Sequence, residues 1–131
     1  MYGTVRHEVR IHRPADEVWA LAGDAARLHE WFPGIDACEV DGDRRTVTTT
    51  SGLALPELIL VTDDRARRFQ YRLDVPIVSH HRGTIDVIDL HDGTCLAVYS
   101  TEADPRAMAL TIGGGTRGAL AELKRQMEEE A

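Results

Sequence analysis

The sequence predicts an α+β fold: a curved antiparallel sheet of about six to seven strands wrapped around a long C-terminal helix, with two short helices after the first strand. Three observations predict it. Most of the chain from Ala37 to Ala103 reads as short runs of alternating apolar and polar residues, with Asp-Gly turns among their separators. After Pro105 there is no further proline, and Ile112, Thr116, Ala119, Leu120, Leu123 and Met127 recur at helical spacing. Between the first strand and the rest lie two short segments with helix-start chemistry.

The elements follow in order. From Thr4 to His12 the residues alternate, with Val5, His7, Val9 and Ile11 on one face and Arg6, Glu8, Arg10 and His12 on the other, which is a half-buried strand with one polar member, His7, on its apolar side. Pro14 suits a first helical turn, because the N–H it lacks would be unpaired there. Asp16 and Glu17 add the charge that a helix N-terminus favours. Val18, Trp19, Leu21 and Ala22 supply the buried side, with Trp19 in the core, and Gly23-Asp24 breaks the helix. A second short helix, Ala25 to Trp31, carries Leu28, Trp31 and Phe32 before Pro33-Gly34 stops it. Strands at Ala37–Val40 and Arg45–Thr50 flank the hairpin turn Asp41-Gly42-Asp43. Further strands cover Leu58–Thr62, Arg68–Asp74, His81–Leu90 and Thr94–Ala103, the last two joined at Asp92-Gly93. Phe69, Tyr71 and Leu73 share one face of their strand. His81, Gly83, Ile85 and Val87 share one face of theirs. Asp104 as N-cap and Pro105 at the first position open the final helix, which runs to Glu130. The two short helices interrupt the sheet edge and leave a wedge between sheet and long helix.

Length and charge exclude several classes. The 131 residues form one domain spanning 1–131, large enough to bury roughly two-thirds of its unfolded surface without a disulfide or metal. A formal net charge of −7 argues against a nucleic-acid partner and against anionic membrane surfaces. Arg65, Arg67 and Arg68 sit among Asp63 and Asp64 and read as a solvated turn. The apolar runs are far too short for membrane insertion. Met1–Arg10 has no apolar core of signal-peptide length, so no export is expected. Cys38 and Cys95 lack metal or redox spacing and read as free thiols of a cytoplasmic protein. Oligomeric state stays open between monomer and a homodimer paired through an edge strand such as the first.

Arg13-Pro14-Ala15-Asp16-Glu17-Val18-Trp19, then Gly23-Asp24, then Leu28-His29-Glu30-Trp31-Phe32-Pro33 resemble the first helices of the START-like (SRPBCC) superfamily, in its polyketide cyclase/dehydrase-like branch. Asp92-Gly93-Thr94 and Gly118-Ala119-Leu120 with Leu123-Lys124 extend the resemblance over essentially the whole chain. It implies the helix-grip fold and an apolar cavity between sheet and helix. Members include aromatase/cyclases and carriers of lipids and hormones, so the resemblance does not name an activity.

The resemblance implies that Trp31 and Phe32 stand at the cavity mouth. Tyr71 and Tyr99 are expected to line the cavity with their hydroxyls as polar handles, alongside Ile85 and Met108. Gly113-Gly114-Gly115 lacks the strand and the Lys-Ser/Thr of a phosphate loop. It forms either a loop that divides the last helix or a stretch inside it, where missing side chains make room for a ligand. On the second reading Gly114→Leu abolishes binding while the fold persists. His80 and His81 are adjacent and face opposite sides, so they cannot share a metal, and no third ligand has zinc spacing. No metal and no cofactor are expected. His81 and His7 point inward and are candidates to hydrogen-bond a ligand carbonyl or to act as general bases. Glu102 and Arg106 read as a surface pair.

The functional expectation is binding of a hydrophobic or aromatic small molecule, lipid or polyketide-like. One alternative is a cyclase or dehydratase in which His7 or His81 moves a proton, Tyr71 or Tyr99 polarises a carbonyl and Trp31 stacks on the ring. Another is a protein-interaction module with a vestigial cavity.

Overall fold

The computed structural model describes residues 1–129. Seven antiparallel strands form one sheet: β1 (Gly3–Ile11), β2 (Ile35–Asp41), β3 (Arg44–Thr49), β4 (Ala54–Asp63), β5 (Arg68–Leu73), β6 (His80–Asp89) and β7 (Cys95–Asp104). Their order across the sheet is β1-β7-β6-β5-β4-β3-β2. Everything after β2 is a meander of hairpins, and β1 joins the far edge beside β7, paired from Gly3↔Ala103 to Ile11↔Cys95. The expected strands are all present. β4 is longer than its apolar run suggests, because Ala54–Glu57 pairs with β3 and so needs no continuous hydrophobic stretch.

Helix α1 (Ala15–Ala22) follows β1 and buries Val18, Trp19 and Leu21. Trp19 is a core residue, and its indole N–H donates to Asp64 Oδ1 at 2.9 Å. The second short helix is a 3-10 turn, Ala25–Glu30, capped by Asp24, whose carboxylate accepts the Ala26 N–H at 3.0 Å. At the C-terminal end, α2 (Ala107–Gly113) and α3 (Thr116–Glu129) cover the concave face of the sheet, giving the helix-grip arrangement. The expected helix end at Glu130 lies outside the described residues.

One detail of this segment differs from the sequence reading, and a second decides between the two alternatives it left open. Asp104 does not cap the helix: it is still part of β7, and its carboxylate accepts the Ser79 hydroxyl at 3.0 Å instead. The helix therefore begins at Ala107. The long helix is also divided at Gly114-Gly115, although Gly114 keeps helical angles (φ −64°, ψ −27°). The Thr116 hydroxyl donates to the Gly113 carbonyl at 2.8 Å and takes one acceptor of the helix for itself. Gly113 has a packing role. A Cβ there would stand 3.1 Å from Val5 Cβ and 3.2 Å from Thr101 Cβ, so the glycine lets α2 lie this close to β1 and β7 without displacing them by a few tenths of an ångström.

The core is one cluster in which Ile11, Val18, Trp31, Phe69, Ile85, Tyr99, Leu120 and Leu123 are almost fully buried. Cys38 and Cys95 are free. Among the described residues no helix is long and apolar enough to cross a membrane. Arg67 and Arg68 lie in ion pairs with Asp16 and Asp86 at 2.8 Å each.

Candidate functional site

The wedge between sheet and C-terminal helices is a cavity of about 330 Å³. Its apolar wall comes from Leu28, Phe32, Ile35, Val47, Leu55 and Ile112, and its polar wall from Glu57, Tyr71, His81 and Tyr99. Strand parity explains the polar set. On the concave face Tyr71 stands beside Gly83, Leu73 beside Glu57, and Glu57 beside Arg45. Four neighbouring strands thus bring polar groups to one end of the sheet.

Gly83 is what admits Tyr71. A Cβ at that position would lie 2.5 Å from Tyr71 Cε1 and Cζ, so the tyrosine ring occupies the volume the glycine leaves. The Tyr71 and Tyr99 hydroxyls meet at 2.5 Å. One donates to the other, which leaves one hydroxyl hydrogen of the pair unspent. Burial pushes both phenols well above their ordinary range, so both are neutral.

His81 is almost fully buried at 1 % exposure. Its Nδ1 accepts the Leu73 N–H at 2.8 Å. A backbone N–H can only donate, so Nδ1 holds the lone pair and the neutral ring carries its proton on Nε2. Nε2 is buried and has no partner. Burial, helped by the charge of His80, lowers the imidazole to about 4, so the ring is neutral near pH 7. His81 therefore offers a hydrogen-bond donor and no free basic lone pair. As a general base it does not fit this geometry.

The charged pair Arg45–Glu57 is the component that the sequence reading missed. Both are buried, at 2 % and 7 % exposure. Arg45 Nε donates to Glu57 Oε1 at 2.7 Å, and Nη2 lies 2.7 Å from the same oxygen as an ion-pair contact. Nη1 donates to the Ala25 carbonyl at 3.1 Å. The guanidinium also lies 4.9 Å from the Tyr71 ring centre and 5.2 Å from that of Phe69, within cation–π range. Burial raises the Glu57 carboxyl, and Arg45 opposes the shift. A sequence signal existed: Arg45 falls on the inward parity of β3 with Val47, and Glu57 on that of β4 with Leu55 and Ile59. Opposite charges at inward positions of adjacent strands mark a buried pair.

The remaining expected site residues are distributed otherwise. Phe32 lines the cavity, edge-on to Tyr99 with ring centres 6.1 Å apart. Trp31 does not stand at the mouth. It is 1 % exposed and packs 6.2 Å from Tyr99 as part of the core, so it is not placed to stack on a ligand. Ile85 is core between Phe69 and Tyr99 and is absent from the wall. Met108 lies one turn before Thr111 and Ile112, the residues by which α2 reaches the cavity. Gly114 is exposed and is not part of the cavity wall, whereas a Cβ at Gly115 would stand 3.2 Å from the ring of the wall residue Phe32. His7 is on the concave face beside Tyr99, but at the sheet edge, in a separate groove with Arg117 and Leu120. Its catalytic partnership with His81 does not form. Glu102 pairs with His80 at 3.0 Å rather than with Arg106. Among the described residues no group of three or more potential ligands could hold a metal.

An open seven-stranded sheet wrapped over the C-terminal helices, with an apolar cavity that has a polar end between them, defines the class, a helix-grip fold. Residues 2–128 match the polyketide cyclase/dehydrase and lipid transport family, and the chain belongs to it. None of the curated proteins matches. Among solved structures, XoxI from Bacillus cereus is similar with a TM-score of 0.88 and 22 % identity, over 95 % of both chains. The di-domain ARO/CYC BexL of the BE-7585A biosynthetic pathway is similar at 0.80 and 23 %, over 95 % of this chain and 46 % of BexL. Norcoclaurine synthase from Thalictrum flavum, in complex with dopamine and hydroxybenzaldehyde, is similar at 0.77 and 19 %, over 100 % of this chain and 89 % of the synthase. At these identities the likeness carries the fold.

Proposed function

We propose that this chain is a single ligand-binding domain that holds an aromatic or polyketide-like small molecule in the cavity, with an acceptor oxygen of the ligand directed at His81 and the Tyr71–Tyr99 pair. One observation carries this reading: His81 Nε2–H is buried in the cavity wall without a partner. Leaving such a donor unsatisfied costs roughly 1–3 kcal/mol, and a carbonyl or phenol oxygen from a ligand removes that cost. The size agrees. At the packing of an organic liquid, about 330 Å³ takes roughly 180 Å³ of molecule, the bulk of two or three fused rings. The norcoclaurine synthase of similar fold is occupied by two small aromatics, dopamine and hydroxybenzaldehyde. The free thiols support a reducing, cytoplasmic setting.

The experiment compares 2-acetonaphthone with 2-ethylnaphthalene, which has a similar shape without the oxygen, by calorimetric titration of the wild type and of His81→Phe. The ketone binds at least about tenfold more tightly to the wild type, from one satisfied buried donor. That preference shrinks in His81→Phe. Equal affinities in the wild type, or no binding of either, defeat the reading.

A second reading, turnover by a cyclase or dehydratase, draws on Glu57. Arg45 holds Glu57 Oε1, but Oε2 accepts no hydrogen bond among the described residues, so the raised carboxyl keeps one basic oxygen in the polar wall, which His81 does not. The donors of His81 and the tyrosine pair would then stabilise an enolate formed from a ketone substrate. Its test is exchange of the α-protons of the bound ketone into D₂O, expected in the wild type and lost in Glu57→Gln.

A further inference from the structure

The free edge of the sheet at β1 carries a charge pattern suited to pairing with itself. β1 ends the strand order, so one row of its backbone groups has no strand partner. The register shows which row. Leu90 N–H donates to the Thr94 carbonyl at 3.1 Å where β6 meets β7. Even-numbered residues of β7 therefore bond β6, and odd-numbered ones turn to β1. Their partners on β1 are also odd, so Thr4, Arg6, Glu8 and Arg10 direct N–H and C=O out of the sheet. Contacts at the strand's end agree: Lys124 Nζ donates to the Arg10 carbonyl at 2.7 Å, and His12 N–H donates to Glu128 at 2.9 Å. Many arginines of this chain are ion-paired, yet among the described residues Arg6, Glu8 and Arg117 are in no ion pair. All three line a groove of about 440 Å³ between β1 and α3, together with His7, Val9 and Leu120.

We propose that β1 pairs antiparallel with β1 of a second copy, about a two-fold axis at His7, and joins the two sheets. Self-pairing of one strand allows few registers, and charge selects among them. An axis at His7 sets Arg6 of each copy against Glu8 of the other, Val5 against Val9, and Thr4 against Arg10, across the whole of β1 (Gly3–Ile11). An axis at Arg6 opposes Arg6 to itself. An axis at Glu8 opposes Glu8 to itself and Arg6 to Arg10. An axis at Val9 sets Glu8 against Arg10 but overlaps only His7 to Ile11. In the His7 register Arg6 and Glu8 exchange both N–H···O bonds, and their side chains lie on the same outer face. The groove beside the strand, lined by His7 and Val9, receives His7 and Val5 of the other copy.

The test is sedimentation equilibrium at about 100 µM protein and low ionic strength, where exposed ion pairs are least screened, on the wild type, Arg6→Glu, Glu8→Arg and the double swap. The side chains of both residues are exposed, so the monomer fold is retained, checked by far-UV circular dichroism. The wild type sediments as a dimer. Each single reversal opposes like charges twice and weakens dimerisation at least about tenfold. The double swap restores it to within about threefold, since it carries the same charge pair with the two signs exchanged. His7→Cys gives a disulfide-linked dimer on oxidation, because the axis places the two Cβ atoms opposite one another. A monomeric wild type overturns the proposal. So does a dimer indifferent to the single reversals, or one that the swap fails to restore.

Discussion

Arg45→Met removes the cation from a carboxylate that has almost no water. Glu57 is 7 % exposed, and its side chain is held by Arg45 Nε at 2.7 Å. Breaking a buried pair by deleting one partner costs about 3–5 kcal/mol, chiefly because the other charge stays buried. The lost stacking over Phe69 and Tyr71 belongs to the same loss. For 131 residues the unfolding entropy near the midpoint is about 0.28 kcal/mol/K, so Tm falls by roughly 11–18 °C. The deficit depends on pH with a definite sign. Without Arg45 the folded Glu57 carboxyl lies further above its unfolded value, so the folded state holds a proton that the unfolded state has released. Stability then falls as pH rises from the unfolded value, about 4.3, through the raised folded value, and is level beyond it. Urea titrations at pH 5 and pH 8 therefore give a larger deficit at pH 8. Arg45→Met/Glu57→Leu recovers most of the loss, because an apolar pair of similar bulk bears no desolvation penalty. A single variant within about 1 kcal/mol of the wild type, or a deficit equal at both pH values, refutes the reasoning, since a loss that small is what an exposed pair gives.

Other expectations follow from the same site. His81 titrates at about 4 in the fold against about 6.5 unfolded, so it contributes stability above 6.5 that is lost as pH falls toward 4, on the order of 3 kcal/mol; His81→Gln, which keeps an acceptor for the Leu73 N–H, shows a flatter stability profile over that window, and an unchanged slope counts against the assignment. Gly83→Ala places a methyl 2.5 Å from the Tyr71 ring, costs about 1–3 kcal/mol in overpacking and parts the tyrosine hydroxyls, so binding of 2-acetonaphthone is lost while the protein stays folded; retained binding shows that the ring position is not required. Burial pushes the Cys95 thiol up to about 11 and raises Cys38 as well, so both react slowly with iodoacetamide at pH 7.5 and quickly once unfolded; rapid stoichiometric labelling of the native protein contradicts this. Gly114→Leu leaves ketone binding unchanged, because Gly114 is not part of the cavity wall, and lost binding would show that it makes ligand room.

The sequence by itself determined what depends on local pattern. Alternation in Phe69-Tyr71-Leu73 and in His81-Gly83-Ile85-Val87 assigned the inward faces, and every one of those side chains points as its parity requires. Gly42 (φ +63°) and Gly93 (φ +85°) stand in the left-handed conformations that the hairpin turns demand. Tyr71, Tyr99, Phe32 and His81 were all identified from the chain and all line the cavity. The tertiary structure decided what depends on distance across the sheet. His7 and His81 have the same inward parity, yet β1 is an edge strand and β6 an interior one, so the first faces the groove under α3 and the second faces the cavity. Parity assigns a face and says nothing of the position along it. Ile85 is core for the same reason, since its cross-strand neighbours Phe69 and Tyr99 close over it, and Trp31, which follows the 3-10 turn and lies on no strand, packs against Tyr99 and Phe32. The chemistry of His81 was settled by one backbone contact, the Leu73 N–H on Nδ1, which fixed the tautomer and turned a candidate base into a donor. Arg45 and Glu57 are twelve residues apart in the chain, and only the register of β3 on β4 makes them a pair.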